Sequence, residues 1–285
     1  MNTQKRIAAI HDLSGFGKCS LTVALPILSA AGIEVCALPT AVLSSHTGGL
    51  SGYTYRDLTE DMPGFAKQWK QLGLRFDALY SGFLGSSEQI QIVSDVFDTF
   101  KTESNFIMVD PVMADDGVLY KTITPAMADG MKQLCRKADL IVPNMTEAAY
   151  LLDGEFREGP YTRAYIEFLL RRLSDLGPQQ VVLTGVWFNP TLIGAAGYNR
   201  KTDEVSYAFS QKISGHYCGT GDIFASALLA GLLNQLNLEN AMQTAADYTA
   251  GCVRRTREAG TDYRYGVNFE AGLLRFMREL GVTEE

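Results

Sequence analysis

The sequence predicts an α/β fold built on a mostly parallel sheet, and three observations carry that reading. Short apolar runs of β character alternate with helix-period segments through most of the chain, the signature of successive βαβ units. After the sixth such run the rhythm changes to two apolar stretches flanking Asn199-Arg200-Lys201-Thr202-Asp203, which reads as an antiparallel hairpin at the sheet edge. Helical patterns fill the remainder. No Pro/Ser-rich linker, low-complexity run or internal repeat divides the chain, so one domain over residues 1–285 is expected.

Taken in order, the first strand falls at Ile7–Ile10, and a helical pattern over Ser20–Ala31 follows, closed by Gly32. The next strands are Glu34–Leu43, Ala78–Gly82, Phe106–Asp110, Leu140–Val142 and Val181–Gly185. Helices are expected at Ser87–Phe100, Pro125–Arg136 and Arg163–Leu176, the last closed by Gly177. Leu192–Tyr198 and Glu204–Phe209 form the hairpin. The C-terminal helices are Asp222–Gln235, Leu238–Arg254 and Phe269–Leu280.

A composition of 46% hydrophobic and 20% charged residues excludes disorder and fibres. The longest apolar runs stop well short of the roughly 18 residues a bilayer span needs. Met1-Asn2-Thr3-Gln4-Lys5-Arg6 leads into no hydrophobic signal core, and a cytoplasmic location is expected. Cys19, Cys36, Cys135, Cys218 and Cys252 are odd in number and form no Cys-x-x-Cys pair, so they read as reduced thiols. A net charge of -7 opposes nonspecific nucleic-acid binding but allows a local pocket for a phosphorylated ligand. His11, His46 and His216 are far apart in sequence and suggest no His/Cys metal cluster.

The chemistry concentrates at Gly219-Thr220-Gly221-Asp222, which runs directly into an Ala-rich apolar helix. Glycines at a helix mouth leave backbone N–H groups open to an anion, and the helix dipole adds positive potential there. A carboxylate at the same mouth is badly placed to bind that anion but well placed to take a proton from a hydroxyl attacking it. That combination describes phosphoryl transfer, although Gly-x-Gly before a capping Asp also opens ordinary helices.

In an open parallel sheet, ligands bind outside the carboxyl ends of the strands. Here those ends carry His11-Asp12-Leu13-Ser14, Ser44-Ser45-His46-Thr47, Ser81-Gly82-Phe83, Asp110-Pro111, Asn144-Met145-Thr146-Glu147 and Thr184-Gly185. Singly, each has a plain structural explanation: Asp110 as a turn former, Thr146-Glu147 as a helix cap. Jointly, several acids at one sheet edge repel unless a cation or a metal-bound phosphate shares them. Gly15-Phe16-Gly17-Lys18-Cys19-Ser20 is not a phosphate loop of the Walker type, because Asp12 stands where its first Gly belongs and Cys19 where Ser or Thr must follow Lys.

With these stretches assembled, the chain resembles the ribokinase-like superfamily and, within it, the vitamin B6 (pyridoxal, pyridoxine, pyridoxamine) kinases. The resemblance covers nearly the whole chain and is carried by Ser44-Ser45-His46-Thr47-Gly48, Leu79 to Ser86, Asp110-Pro111-Val112-Met113, Pro143-Asn144-x-x-Glu147, Val182-Leu183-Thr184 and Gly219-Thr220-Gly221-Asp222. It implies a three-layer α-β-α sandwich, ATP and Mg²⁺ with room for a monovalent cation such as K⁺, no nucleic-acid or membrane partner, and a homodimer. It implies Asp222 as the base for the substrate's 5′-hydroxymethyl group, with the amides of Gly219, Thr220 and Gly221 stabilising the γ-phosphoryl. Asp110, Asp115, Asn144 and Glu147 would surround the Mg-ATP phosphates, Asp110 and Glu147 as metal residues, and Thr184 would touch the nucleotide. Asp12, His46, Thr47 and Phe83 would form the substrate side.

Two positions depart from the better-known pyridoxal kinases, which carry Ser at the Asp12 position and often Tyr at the Phe83 position. The related hydroxymethylpyrimidine kinases of thiamine synthesis are the alternative enzyme; some dual-specificity members carry Cys in place of the acid that is Asp222 here. A ligand-binding protein on an inactive kinase fold is the alternative of another class, disfavoured by the intact acid. Cys218 reads as a flap or packing residue. Apolar residues of Val205–His216 and Asp247–Cys252 are candidates for the adenine pocket.

Overall fold

Residues 4–282 are described by a computed structural model. In chain order the elements are β1 (Arg6–Ser14), α1 (Leu21–Ala30), β2 (Glu34–Leu43), β3 (Tyr55–Asp57), α2 (Met62–Gln71), β4 (Ala78–Ser81), α3 (Ser87–Phe100), β5 (Phe106–Val109), β6 (Ala114–Asp115) and β7 (Val118–Leu119). They continue with α4 (Pro125–Arg136), β8 (Leu140–Ile141), α5 (Met145–Leu151), α6 (Arg163–Ser174), β9 (Gln180–Val186), β10 (Leu192–Asn199), β11 (Glu204–Gln211), α7 (Thr220–Leu233), α8 (Leu238–Glu258) and α9 (Leu273–Glu279).

Nine strands pair in the order β11-β10-β9-β8-β5-β4-β1-β2-β3. From β9 through β2 the pairing is parallel, and both edges are antiparallel: β10 and β11 on one side, β3 against β2 on the other. Side chains alternate across β1. Ile7 and Ala9 join the core beneath α1, α7, α8 and α9, while Ala8 and Ile10 join the core beneath α2 to α6. The result is a three-layer α-β-α sandwich whose central strands are apolar on both faces.

The chain leaves β1 toward β2 on one side and returns to β4 on the other. That reversal opens a crevice at the carboxyl ends of β1 and β4. α7 reaches it as a nearly all-apolar helix, buried continuously from Ile223 to Gly231, so its mouth is held fixed by packing.

The expected hairpin at β10 and β11 and all six parallel strands are present. The C-terminal helix is shorter than expected: Glu270–Gly272 is a 3-10 turn and α9 starts only at Leu273.

Candidate active site

Gly219 caps α7 in a left-handed conformation, φ 78° and ψ 2°. A Cβ there would lie 2.0 Å from the Lys18 carbonyl oxygen, so the glycine lets the mouth of α7 pack directly on the segment after β1. Gly221 is different. It is exposed, and a Cβ would meet nothing within 4 Å, leaving the first-turn amides approachable by an anion.

Asp222, half-buried, lies one residue further into that turn. Burial pushes its carboxyl up to about 7, the negative charge of Asp12 adds to the rise, and the Ser20 backbone N–H opposes it. A carboxyl poised near neutrality is what a general base needs.

On the other side of the crevice, Asp110 is buried just past β5 and its carboxyl sits well above the usual carboxylate range, through burial first and then the charges of Glu147 and Asp222. Glu147 is buried in the first turn of α5 and is pushed up to about 8 by burial. Its oxygens are already engaged: Oε2 accepts the Asn144 N–H at 2.8 Å and Oε1 the Met113 N–H at 3.2 Å. Asn144 completes a capping box, its Oδ1 accepting the N–H groups of Thr146 and Glu147 at 2.8 Å, while Nδ2 donates to the Ala114 carbonyl at 2.8 Å. Thr184 meets Asn144 in an isolated parallel bridge and bonds Pro143, so the ends of β8 and β9 are tied together.

None of Asp12, Asp110, Glu147 or Asp222 is in an ion pair among the described residues. Buried carboxylates that raise one another, with oxygen donors only, fit a hard divalent cation such as Mg²⁺.

Asp115 ends β6 and shares space with Asp116 and His216, whose potential ligand atoms all lie within 4.8 Å of one another. The fold thus brings His216, distant in sequence, onto the β6–β7 hairpin. A cavity of about 420 Å³ lies between the loop before α7 and the end of α8, lined by Gly215, His216, Tyr217, Arg257, Gly260, Thr261 and Tyr263. β11 packs along α8, where the Gln243 side chain bonds both the N–H and the carbonyl of Phe209. The two segments expected around adenine are therefore neighbours.

The substrate-side residues divide. His46 is buried with both ring nitrogens engaged: Nδ1 accepts the Gly48 N–H at 3.0 Å, so Nε2 carries the proton and donates to the Arg264 carbonyl at 2.5 Å. Gly17, at φ 88°, leaves room for that ring; a Cβ would stand 1.9 Å from His46 Cδ2. His46 is thus a fastener between loops. Thr47 is exposed beside it, and Phe83, half-buried, follows β4. Asp12 is buried, with Oδ1 accepting the Ser20 hydroxyl at 2.5 Å and Oδ2 the Ser14 hydroxyl at 3.2 Å. Cys218 donates its N–H to the Tyr263 carbonyl at 3.4 Å.

Three features escaped the sequence reading. Ser20 stands at φ 50° and ψ -130° immediately before α1, a conformation no local signal announces. Tyr120, just past β7, feels the charges of Glu147, Asp115, Asp222 and Asp110. Behind the mouth of α7, the side chains of His11, Tyr80 and Ser226 are fully buried without hydrogen-bond partners among the described residues, His11 edge-on to Tyr80 at 4.3 Å and held neutral by burial that lowers it to about 3.

Comparison with known proteins agrees with this geometry. Residues 28–267 match the family model described as phosphomethylpyrimidine kinase. A Bacteroides thetaiotaomicron protein assigned to the phosphomethylpyrimidine kinases, solved in an orthorhombic form with pyridoxal, is 39% identical, with 99% of this chain and 98% of that one covered and a TM-score of 0.91. The pyridoxal kinase of Lactobacillus plantarum is 30% identical, with 97% and 98% covered and a TM-score of 0.88. The pyridoxal kinase PdxY of Vibrio campbellii is 26% identical, with 89% of each chain covered. The family match over most of the chain, the full-length likeness to a pyridoxal kinase and the acid at the mouth of α7 lead to one conclusion: this chain belongs to the phosphomethylpyrimidine kinase family and sides, within the ribokinase-like superfamily, with its pyridoxal kinases.

Proposed function

We propose that the protein transfers the γ-phosphoryl group of ATP to the 5′-hydroxymethyl group of pyridoxal, pyridoxine or pyridoxamine. The observation that carries this reading is Asp222, held near neutrality beside the open first-turn amides of α7. Its carboxylate takes the hydroxyl proton as the oxygen attacks, and the amides of Gly219, Thr220 and Gly221 meet the charge that develops on the transferred group. Substrate lies on the side of Thr47 and Phe83, with His46 and Asp12 fixing the loops around it, and the nucleotide lies along Asp115, Asn144 and Thr184. Asp110 and Glu147 would hold Mg²⁺, Glu147 through lone pairs left free by its two N–H partners or through water; when bound, the ion supplies charge neutralisation on the phosphoryl oxygens. The unpaired cysteines support a cytoplasmic setting. The homodimer is part of the proposal, and sedimentation of the purified chain tests it.

Hydroxymethylpyrimidine is the competing acceptor. ADP release with pyridoxal, pyridoxine, pyridoxamine and hydroxymethylpyrimidine offered separately decides between them. Turnover of the B6 vitamers with at least tenfold higher kcat/KM than the pyrimidine is expected, a ratio of about 1.4 kcal/mol; the reverse order refutes the assignment, and no ADP release with any acceptor returns the chain to a binding role.

A further inference from the structure

We propose that Gln89 is a positioning residue for the acceptor substrate: its buried amide clamps the segment carrying Phe83 to the β2–β3 strap carrying Thr47, and so sets the distance between the two walls of the substrate side. This rests on the reading of Phe83 and Thr47 as those walls.

The two walls leave different strands. Phe83 follows β4, between Gly82, whose N–H donates to the Ile10 carbonyl at 3.1 Å, and the fully buried Leu84. Thr47 lies in the loop between β2 and β3, which is closed at its base: the Ser44 N–H donates to the Thr54 carbonyl at 3.1 Å and the Thr54 N–H to Ser44 Oγ at 2.8 Å. β1 stands between β4 and β2 in the sheet, so no strand ladder joins the walls directly.

Gln89 bridges them. It is fully buried in the first turn of α3, and its Oε1 accepts the N–H of Gly85, two residues past Phe83, at 2.8 Å. Its Nε2 faces the strap, donating to the Thr40 carbonyl at 2.9 Å and the Thr59 hydroxyl at 3.0 Å, with Asp57 Oδ1 at 3.3 Å. Asp57 in turn accepts the Thr59 N–H at 2.8 Å. β2 is shaped to receive this amide. Its register with β1 shifts between His11 and Leu13, so that Thr40 and Ala41 stand opposite the single Asp12, a bulge of the kind that re-aims the end of a strand. The Thr40 carbonyl there serves both the Leu58 N–H and Gln89. From β3 the Tyr55 hydroxyl lies over Gly85, where a Cβ would stand 2.6 Å from it.

An ordinary helix cap accounts for Ser86 and not for Gln89. Ser86-x-x-Gln89 has the capping-box pattern, in which the Gln side chain turns back to the N–H of the capping residue. Ser86 Oγ does accept the Gln89 N–H at 3.1 Å. The Gln89 side chain instead takes the N–H of Gly85 and sends its other end across to β2 and the residues around the end of β3.

The test uses the full chain, with pyridoxal varied at saturating MgATP and MgATP varied at saturating pyridoxal. Gln89→Leu keeps most of the side-chain volume and removes every hydrogen bond of the amide. A group misplaced by about an ångström costs up to roughly 100-fold, so the pyridoxal KM is expected to rise about 10–100-fold, with the MgATP KM within about twofold and kcat within about threefold. Gln89→Glu is closer in shape and keeps the acceptor for Gly85, but turns a carboxylate toward the Thr40 carbonyl and Asp57; it should be no better than Gln89→Leu. Asp57→Ala/Thr59→Val removes two of the three acceptors from the strap and should raise the pyridoxal KM by about three- to tenfold. Because these residues act through one amide, the triple variant should be no worse than Gln89→Leu.

A lowered melting temperature with an unchanged pyridoxal KM in Gln89→Leu would overturn the proposal, leaving Gln89 a plain core amide. A wild-type pyridoxal KM in Gln89→Glu, or additive losses in the triple variant, would overturn it as well. If Gln89→Leu fails to fold, Asp57→Ala/Thr59→Val decides alone, since Asp57 is exposed and Thr59 half-buried: a raised pyridoxal KM supports the clamp and an unchanged one overturns it. Phe83→Ala is run alongside. An unchanged pyridoxal KM there removes Phe83 from the substrate wall itself, a result separate from failure of the clamp.

Discussion

Replacing Asp222 by Asn removes the proton acceptor while keeping the size of the side chain, so the expected loss is in kcat and not in nucleotide affinity. General-base removal costs about 10²–10⁴-fold. The structure adds a pH dependence. With the carboxyl pushed up to about 7, the ionised, active form is about half the population at pH 7 and about one molecule in a hundred at pH 5. Wild-type kcat/KM should therefore fall about tenfold per pH unit below neutrality and level off above it. Since Asp12 contributes to the rise and Ser20 opposes it, this limb reports on the local arrangement around the carboxylate. The assay is coupled ADP release from pH 5 to 9, with ATP titration of the variant as the check on binding. An Asn variant that retains more than about a tenth of kcat, or residual activity that still falls below pH 7, would refute the assignment.

The two glycines of the motif should separate cleanly. Gly219→Ala drives a methyl into the Lys18 carbonyl and should cost more than about 2 kcal/mol of stability, whereas Gly221→Ala should leave the melting temperature unchanged or slightly higher and still lower kcat/KM for ATP; thermal melts beside kinetics check both, and a stable, active Gly219→Ala removes the packing argument. Asp110 lacks a side-chain hydrogen bond among the described residues and is raised by burial. Its folded form prefers the proton, so it costs stability increasingly as pH rises above the unfolded value near 4, and Asp110→Asn should raise the melting temperature of the metal-free protein at pH 8, by about 2–4 °C per kcal/mol gained, while lowering activity. Equal melting of variant and wild type at pH 8 would count against that accounting. Glu147→Gln should raise the Mg²⁺ concentration needed for half-maximal activity; identical metal curves would leave Glu147 a helix cap only.

The parallel strands and the hairpin were legible because their apolar runs are long against the turns that bound them. The elements missed had weak or contradictory signals. α2 carries Pro63 and Gly64 in its first turn and buries only Met62, and β3 is three exposed residues held to β2. α5 spans seven residues and depends on the capping box from Asn144 and Glu147; the cap was visible in sequence, the helix behind it was not. The β6–β7 hairpin did have a signal, Asp116-Gly117, the dipeptide suited to two successive positive φ angles. At the site, the acids at strand ends could be read from position alone. That both nitrogens of His46 are spent on backbone, and that Asp12 turns to Ser14 and Ser20, could not, because those partners are set by loop paths with no period to follow.

The fastening of Lys18 and His46 has a consequence for how the protein comes to life during synthesis. Lys18 closes onto Tyr265, and His46 onto Arg264, contacts that join the first fifth of the chain to its last tenth. On the ribosome the β1 and β2 regions emerge long before residues 263–266, and such distant closures form late because the loop entropy must be met first. A chain ending near residue 260 lacks the partners of Lys18 and His46 and, with them, Val267, Phe269 and Phe276 of the core beneath α7, so the segment on which Gly219 packs and the substrate side both stay loose. Acquisition of activity should consequently lag behind acquisition of secondary structure when the denatured protein is refolded.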